Sequence, residues 1–415
     1  MELESNEIQL LLACSSARLS GTGADRIKTL LTEKINWADL IRIAAPHGLL
    51  PLLHRNLSLV CEDRVPARTL GQLRRYHESV ARRNAIHAGE LFNLLDLLEA
   101  NHIRAIPFKG PTLALLAYGD LSLREFTDLD IVVHESDLWR TWNVLTRHGY
   151  APEDGGGALG ERKPLPPGGK NWAFKCKDRL TLEIHWRFSE KSFGPQLEPA
   201  DVWSNVRSST LSGRSLQVIQ PEQMLVLLSM HLASHLWRRL NWICDITAIV
   251  NSKPDIDWEL LFRTARRVGC ERILSVGLLL SKNLLGSSLP RHVDEKFGKD
   301  KVSALIVREV SHGLFAETKP EFWKIDCARY AIIQRERQKD RFQALIAYVL
   351  RNLSLRPNRA DAESLRLPAR LSFLHYFTRP IRLLWTVGIQ RVCCVLYPAT
   401  THPLPGRGLP KEKKI

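Results

Sequence analysis

The chain has 415 residues, of which 44% are hydrophobic and 25% are charged, a balance typical of a folded globular protein rather than a disordered one. No apolar run approaches the ~18 residues that cross a bilayer, and the acidic first residues are unlike a secretory signal, so we expect a cytoplasmic protein. The formal net charge is +15, but residues 331–415 alone hold 16 Lys and Arg against 5 Asp and Glu. Basicity therefore indicates an anionic partner only for this C-terminal segment. The eight cysteines form no CxxC pair, which favours reduced, buried thiols.

The N-terminal part of the chain is predicted to be helical, with a long amphipathic pattern over 70–100. Residues 102–108 then predict a short strand, 110–118 a helix, and 129–134 a second strand. A further helix is expected over Asp137–Arg147, closed by a glycine.

The middle of the chain contains a glycine- and proline-rich loop and a predicted hairpin. Residues 153–170 form a loop on any interpretation, either a long connection or a lid over the substrate. Apolar and polar residues alternate in 171–176 and 179–188, which predicts two antiparallel strands. From Pro221 onward the sequence is helical again, and the basic end of the chain, finishing in KEKKI, is expected to be disordered.

Two aspartates stand one residue apart at the start of the second predicted strand. Side chains alternate between the faces of a strand, so Asp128 and Asp130 emerge side by side on one face. Two negative charges at such a short distance repel each other, and they are tolerated best when a divalent cation lies between them. The pair therefore indicates a Mg²⁺ site for phosphoryl or nucleotidyl transfer, against the alternative of a polar strand edge or a helix cap.

Glu183 is the candidate for a third metal ligand. In the strand around it, Leu182 and Ile184 are expected to face the core, which leaves Glu183 and His185 on the opposite face. That face meets the aspartate pair if the two strands are neighbours. For His185 a substrate-facing role and a structural role both stay open, as an exposed strand position does for Glu183.

Two basic residues and a glycine flank the aspartate strand. Lys109 and Gly110 close the first strand and open a helix, where a glycine lets the backbone approach a phosphate and a lysine can contact it. Arg124 precedes Asp128 by four residues and could either contact a phosphate or brace the aspartates through a bidentate pair. The alternative for both basic side chains is an ordinary surface charge or ion pair.

These features resemble the nucleotidyltransferase superfamily that includes DNA polymerase beta and the aminoglycoside and lincosamide nucleotidyltransferases. They are most similar to a poorly characterised bacterial nucleotidyltransferase family with a Lys-Gly turn, an arginine before Asp-hydrophobic-Asp, and a later strand ending in His-Trp. The resemblance covers roughly residues 35–250, and the wider superfamily usually has Gly-Ser or Gly-Gly at the turn. The matching residues are Lys109, Gly110, Tyr118, Arg124, Asp128, Leu129, Asp130, Glu183, Ile184, His185, Trp186, His231, His235, Leu240, Trp242 and Asp245.

The resemblance implies an α+β fold with a nucleotidyltransferase-like mixed-sheet core and helical N- and C-terminal additions. We expect four regions: helices over 1–100, the α/β core over 101–220, a helical domain over 221–340, and the basic segment over 341–415. It further implies Mg²⁺ and an NTP donor, most simply ATP, whose NMP group passes to an unknown hydroxyl or phosphate acceptor. Asp128, Asp130 and Glu183 would be the catalytic metal ligands, and Lys109, Gly110, Arg124 and His185 would bind the nucleotide.

Other interpretations stay open from sequence alone. The protein could be a non-catalytic nucleotide- or partner-binding relative, or an accessory protein of polysaccharide or peptide biosynthesis held at an anionic membrane surface through 370–395. The basic segment could also contact nucleic acid weakly, or simply pack. His231 and His235 have the i, i+4 spacing of zinc ligands but lack a third ligand nearby, so packing or a substrate-facing edge is favoured. Asp245 is expected to be a buried brace rather than a catalytic base.

Overall fold

The computed structural model describes residues 4–153, 169–175, 180–190, 195–253, 255–316, 330 and 332–352. It divides into two compact units, Met1–Ala344 and Leu345–Ile415, and the first contains every element discussed below except the end of the last helix. Most of the loop 153–170 and nearly all of the basic C-terminal segment lie outside the described residues, so the expectations for a lid, a membrane contact and a disordered end stay predictions. The bounds of the four expected regions also stay predictions.

Most of the described residues are helical. The helices are α1 (Asn6–Ala13), α2 (Gly21–Leu30), α3 (Trp37–Ala44), α4 (Leu50–Cys61), α5 (Ala67–Ala100), α6 (Gly110–Leu113), α7 (Leu138–Arg147), α8 (Pro199–Trp203), α9 (Pro221–Ser234), α10 (Leu240–Ser252), α11 (Trp258–Val268), α12 (Glu271–Leu285), α13 (Arg291–Phe297), α14 (Lys301–Gly313) and α15 (Gln338–Asn352). The long amphipathic pattern predicted over 70–100 covers nearly all of α5, whose apolar stripe is buried. Among the described residues, no helix combines the length and apolarity that crossing a membrane would require.

A five-stranded mixed sheet lies between these helices. Its strands are β1 (Ala105–Pro107), β2 (Asp128–Val133), β3 (Ala151–Pro152), β4 (Asn171–Lys175) and β5 (Thr181–His185), in the spatial order β1-β2-β5-β4-β3. Only β2 and β5 run parallel, and the other neighbours are antiparallel. The expected hairpin of β4 and β5 is present, and the mixed sheet with helical segments on both sides in sequence confirms the α+β class.

The period-two pattern of the strands separates an apolar face from a polar one. Apolar residues of β2, β4 and β5 join α5 and α7 in one buried cluster. The members from these three strands are Leu129, Ile131, Val133, Trp172, Phe174, Leu182 and Ile184. The opposite face carries Asp128, Asp130, Glu183 and His185. A second and larger core joins the N-terminal helices to α9, α10, α11, α12 and α14. The carboxylates of the sheet therefore lie on the face opposite the α5 and α7 cluster, on the side of the larger helical core.

Several elements differ from the sequence-based expectation. The strands β6 (Arg207–Leu211) and β7 (Arg214–Val218) form a separate hairpin that follows the short α8, and none of these was predicted. The helix expected over 110–118 is a single α-turn, α6, continued by a π-helical turn over Ala114–Tyr118.

The four cysteines within the described residues, Cys14, Cys61, Cys244 and Cys270, are unpaired thiols, and three of them are buried.

Candidate active site

The parallel pairing of β2 and β5 determines where the carboxylates meet. In the register of the two strands Asp130 stands opposite Glu183, and Asp128 stands opposite Thr181. Because residues in register on neighbouring strands share a face, Glu183 meets Asp130 as expected. Asp128, the other aspartate of the pair, does not belong to the group of described side chains that could share one metal ion. The Asp130 side chain is 1% exposed and that of Glu183 is 28% exposed, so the cluster runs from the sheet interior to an accessible edge.

His185 connects two of the carboxylates. Its Nε2 lies 2.9 Å from Oδ1 of Asp130 and 3.1 Å from Oε2 of Glu183. One ligand atom from each of Asp130, Glu183 and His185 falls within 4.8 Å of the other two, which is close enough for one metal ion. The ring of Phe108 packs edge-on against the imidazole, with centroids 5.1 Å apart, and holds its plane. The nucleotide contact predicted for His185 stays a prediction, and its observed partners are the two carboxylates.

Lys109 reaches the same cluster from the end of β1. Its Nζ lies 3.3 Å from Oδ1 of Asp130, and its side chain is 16% exposed. The following residue, Gly110, has φ +50, and a Cβ built on it would lie 3.1 Å from the carbonyl oxygen of Asp128. A side chain at Gly110 would therefore press on the backbone of β2 in a conformation that L residues rarely adopt. The glycine allows the turn to approach β2 and places Lys109 beside Asp130.

The two aspartates have opposite electrostatic environments. Burial favours the neutral form of Asp130, but Lys109 and the His185 hydrogen bond outweigh it and hold the pKa of Asp130 well below its usual range. Burial raises the pKa of Asp128, and the neighbouring charge of Asp130 raises it further. The pKa of Glu183 is lowered, because the hydrogen bond from His185 overcomes the effect of burial. The cluster is thus anionic, and Asp128 is the carboxylate with too little positive charge around it to favour its ionised form.

The residues present fit a divalent cation. Oδ2 of Asp130 is buried and accepts no hydrogen bond from any of the described residues, although a buried carboxylate oxygen ordinarily has a partner. A cation between the carboxylates would satisfy that oxygen and also neutralise the charge that raises the pKa of Asp128. Hard carboxylate oxygens are the ligands that Mg²⁺ and Mn²⁺ prefer. The third residue of the cluster, His185, can either donate a hydrogen bond or supply a nitrogen ligand.

Arg124 binds a buried partner, Asp245, and is an electrostatic neighbour of Asp128. Its Nε and Nη2 donate to the two carboxylate oxygens of Asp245 at 2.8 and 2.9 Å, and the Tyr118 hydroxyl donates to the same carboxylate at 2.7 Å. The side chains of Arg124 and Asp245 are 8% and 2% exposed. The Arg124 guanidinium is therefore bound in a bidentate pair. Asp245 is the buried bracing residue that the sequence analysis expected. The nucleotide contact predicted for Arg124 has no geometric support here and stays untested.

A group of aromatic side chains borders the cluster on the α9–α10 side. The rings of His231, His235 and Trp242 pack together with centroids 4.6 to 5.1 Å apart. Burial, followed by the charge of Lys109, lowers the pKa of His231, while Asp130 acts in the opposite direction. His231 and His235 belong to no metal-ligand group among the described residues. Lys170, which sequence analysis treated only as the end of a loop, is also an electrostatic neighbour of both histidines.

Comparison with known proteins identifies the family. A family model described as "Uncharacterised nucleotidyltransferase" matches residues 33–286, whereas no curated protein matches the chain. One solved structure, that of the lincosamide antibiotic adenylyltransferase LnuA bound to lincomycin, is 20% identical. The match covers 33% of this chain and 83% of LnuA, with a TM-score of 0.25. The family match confirms the resemblance found in the sequence and covers more than half of the chain: the protein belongs to the uncharacterised nucleotidyltransferase family and is a nucleotidyl-transferring enzyme.

Proposed function

We propose that this enzyme transfers an NMP group from an NTP, most simply ATP, to a hydroxyl or phosphate of an unidentified acceptor, in a reaction that depends on Mg²⁺. The observation that supports this most strongly is the carboxylate cluster. Asp128, Asp130 and Glu183 lie on one face of two parallel strands, and Oδ2 of Asp130 is buried without a hydrogen-bond partner among the described residues. Such a cluster suits the charge and ligand preference of a Mg²⁺ ion.

In this proposal Asp128, Asp130 and Glu183 hold the metal. A bound Mg²⁺ would neutralise charge that develops on the α-phosphate oxygens as pyrophosphate leaves. His185 orients Asp130 through the hydrogen bond that its Nε2–H donates to Oδ1, and it holds Glu183 through the contact of Nε2 with Oε2. We further propose that Glu183 accepts the proton of the acceptor hydroxyl. The position of Glu183 at the accessible edge of the cluster supports this role.

Lys109 is proposed to bind the phosphates of the nucleotide. Its ammonium group lies at the cluster and is partly exposed, so it can exchange Asp130 for a phosphate oxygen without a large movement. Gly110 is assigned the role of allowing that placement. Arg124 is left out of the nucleotide site, because the Nε and Nη2 edge of its guanidinium already binds Asp245. Its role in the proposal is to hold the segment before β2 against α10.

A label-transfer assay tests the proposal even though the acceptor is unidentified. The purified protein is incubated with α-³²P-labelled NTPs, Mg²⁺ and a fractionated cell extract, and incorporation of label into small molecules, lipid or polymer is followed. We expect Mg²⁺-dependent incorporation that Asp130→Asn abolishes. Asp25→Asn is the matched control, since Asp25 is a surface residue whose side chain is 75% exposed. Incorporation by Asp130→Asn at the wild-type rate would overturn the proposal.

Two further proposals concern the location of the protein and its contacts with anionic partners. A cytoplasmic location agrees with the composition of the chain, and nothing in the described residues tests it. Weak contact with an anionic membrane or with nucleic acid is proposed only for the basic residues near the C-terminus, most of which lie outside the described residues. Neither expectation is required by the chemistry proposed for the carboxylate cluster.

A further inference from the structure

A cavity of about 340 Å³ opens at the turn between α9 and α10, beside the aromatic group that borders the carboxylate cluster. None of the proposed metal ligands lines it. Its walls are formed by Ser234, His235, Leu236, Arg238, Arg239 and Trp242. The cavity is thus a separate, basic and partly aromatic recess next to the site already described.

The turn that forms the cavity adopts a conformation that its residues do not favour. Leu236 and Trp237 have φ values of 56° and 58°, in the left-handed region that non-glycine residues rarely occupy. The Trp237 side chain is fully buried and holds the turn against the core. Strained backbone of this kind persists where the surrounding structure enforces it, and it is concentrated at functional sites. Here its effect is to leave His235, Arg238 and Arg239 exposed around the cavity.

The charge that lines the cavity is positive. Within the described residues Arg239 takes part in no ion pair, and its guanidinium lies over the ring of Trp242 at 5.7 Å from the centroid. Stacking on an aromatic ring fixes the plane of a guanidinium while leaving its N–H groups available at the edges. Arg238 adds a second positive charge on the same turn. A basic recess with an oriented guanidinium is suited to a phosphate group, which accepts such a fork in bidentate fashion.

The cavity lies within electrostatic reach of the carboxylate cluster. After burial, the charges of Lys170 and Lys109 lower the pKa of His235, and Glu183 opposes them. Lys109 in turn lies 3.3 Å from Asp130. Because burial and the neighbouring lysines lower its pKa, the His235 imidazole is neutral at pH 7 and offers one N–H donor to a ligand. A substrate bound at the cluster could extend into the cavity.

We propose that His235, Arg238 and Arg239 form a phosphate-binding subsite next to the metal cluster, with Trp242 orienting the arginine. The inference rests on the proposed function, since a nucleotidyl-transfer substrate supplies the phosphate. Two sources share this chemistry: the phosphates of the NTP beyond the reacting one, or a phosphate group carried by the acceptor. The subsite supplies the second cationic contact that Arg124, bound to Asp245, does not provide.

Ligand titrations with and without the two arginines test the subsite. Wild type, Arg239→Ala, Arg239→Lys and the double variant Arg238→Ala/Arg239→Ala are titrated with Mg-ATP, with AMP and with inorganic phosphate, the last followed by ³¹P NMR line width. Arg308→Ala is the control, because Arg308 is an exposed arginine on α14. Charged hydrogen bonds justify an expected loss of about tenfold in affinity for each arginine removed, with partial recovery in Arg239→Lys.

The pattern across the ligands identifies the source of the phosphate. If the NTP supplies it, the double variant loses affinity for Mg-ATP by about a hundredfold, tenfold for each arginine, and keeps its affinity for AMP. If the acceptor supplies it, Mg-ATP binding is unchanged, while wild type already saturated with Mg-ATP still binds inorganic phosphate and the double variant does not. The proposal is overturned if the double variant and Arg308→Ala bind all three ligands as wild type does.

A metal titration separates failure of the subsite from failure of the proposed function. Binding of Mn²⁺ alone depends on the carboxylates and should be the same in wild type and in the double variant. Normal binding of Mn²⁺ by wild type, together with no effect of the arginines on the binding of Mg-ATP, AMP or inorganic phosphate, would refute the subsite only. Absence of Mn²⁺ binding in wild type would refute the metal site, and the phosphate titration would still decide whether the cavity binds an anion.

Discussion

The buried pair of Arg124 and Asp245 allows a quantitative test of the role that the structure gives to Arg124. The perturbation is Arg124→Met, which keeps an unbranched side chain of roughly the same reach and removes the charge. Among the described residues, the substitution leaves only the Tyr118 hydroxyl as a hydrogen-bond partner of the Asp245 carboxylate, which is 2% exposed. Loss of one partner of a buried ion pair costs about 3–5 kcal/mol, because the remaining charge stays buried without compensation.

A double variant separates this cost from a loss of packing. In Arg124→Met/Asp245→Leu both charges are gone, and a buried pair replaced by apolar residues is commonly neutral in stability or better. Tyr118 then loses its acceptor, which costs about 1–3 kcal/mol. We therefore expect the double variant to be more stable than Arg124→Met alone. The control is Arg140→Met, which removes a surface pair with Asp137 and should cost less than about 1 kcal/mol.

Urea denaturation at pH 7, followed by circular dichroism, measures the order of stabilities, and titration of the folded variants with Mg-ATP measures the nucleotide affinity. The expected order is wild type, Arg140→Met, the double variant, then Arg124→Met, with Mg-ATP affinity reduced less by Arg124→Met than by Lys109→Ala. The reasoning is refuted if Arg124→Met is as stable as wild type and binds Mg-ATP more weakly than Lys109→Ala. Arg124 would then be a phosphate contact, as the sequence suggested.

Three further outcomes are expected at the carboxylate cluster. Asp128→Asn should leave the thermal midpoint unchanged or slightly raised in the absence of metal, because it removes one charge of a repelling pair; a large drop would indicate a structural aspartate. Asp130 has a depressed pKa, so its ionised form stabilises the fold above its unfolded pKa of about 3.9, and this contribution is lost as pH falls. The midpoint of wild type should therefore exceed that of Asp130→Asn at pH 6, and the gap should shrink below about pH 4; a constant gap would contradict the assignment. Gly110→Ala should destabilise the protein by at least about 1 kcal/mol and weaken metal binding, whereas Gly21→Ala, with no atom within 4 Å of the added Cβ, should be neutral. Equal effects of the two glycine variants on the denaturation midpoint would show that the approach of Gly110 to β2 is not required.

The sequence predicted the carboxylate face because it depends on a local rule. Alternation along β2 places Asp128 and Asp130 together, and the same alternation around Glu183 predicted its face. That β2 and β5 would be neighbours was a condition of the argument, and the parallel pairing satisfies it. The β4–β5 hairpin followed in the same way from a pattern within a short segment, whereas the fold class followed from the resemblance to a known family.

Other features depend on contacts between distant parts of the chain, which a pattern within a segment does not contain. Arg124 and Asp245 are 121 residues apart, and sequence analysis gave each a role without pairing them. The bridging position of His185 depends on the rotamers of three side chains. The β6–β7 hairpin has largely polar, exposed strands, so little apolar alternation marks it in the sequence. The cavity at the α9–α10 turn requires left-handed backbone at Leu236 and Trp237, two residues whose side chains give no sign of it.

Direct measurement of divalent metal binding tests the central claim that Asp128, Asp130 and Glu183 hold a metal ion. Electron paramagnetic resonance follows free Mn²⁺ as it is titrated with wild type, Asp130→Asn, Glu183→Gln and the surface control Asp25→Asn, with Mg²⁺ added afterwards as a competitor. We expect wild type and Asp25→Asn to bind Mn²⁺ that Mg²⁺ displaces, and both cluster variants to bind it at least about tenfold more weakly, as lost metal ligands require. Equal Mn²⁺ affinity in wild type and Asp130→Asn would contradict the account.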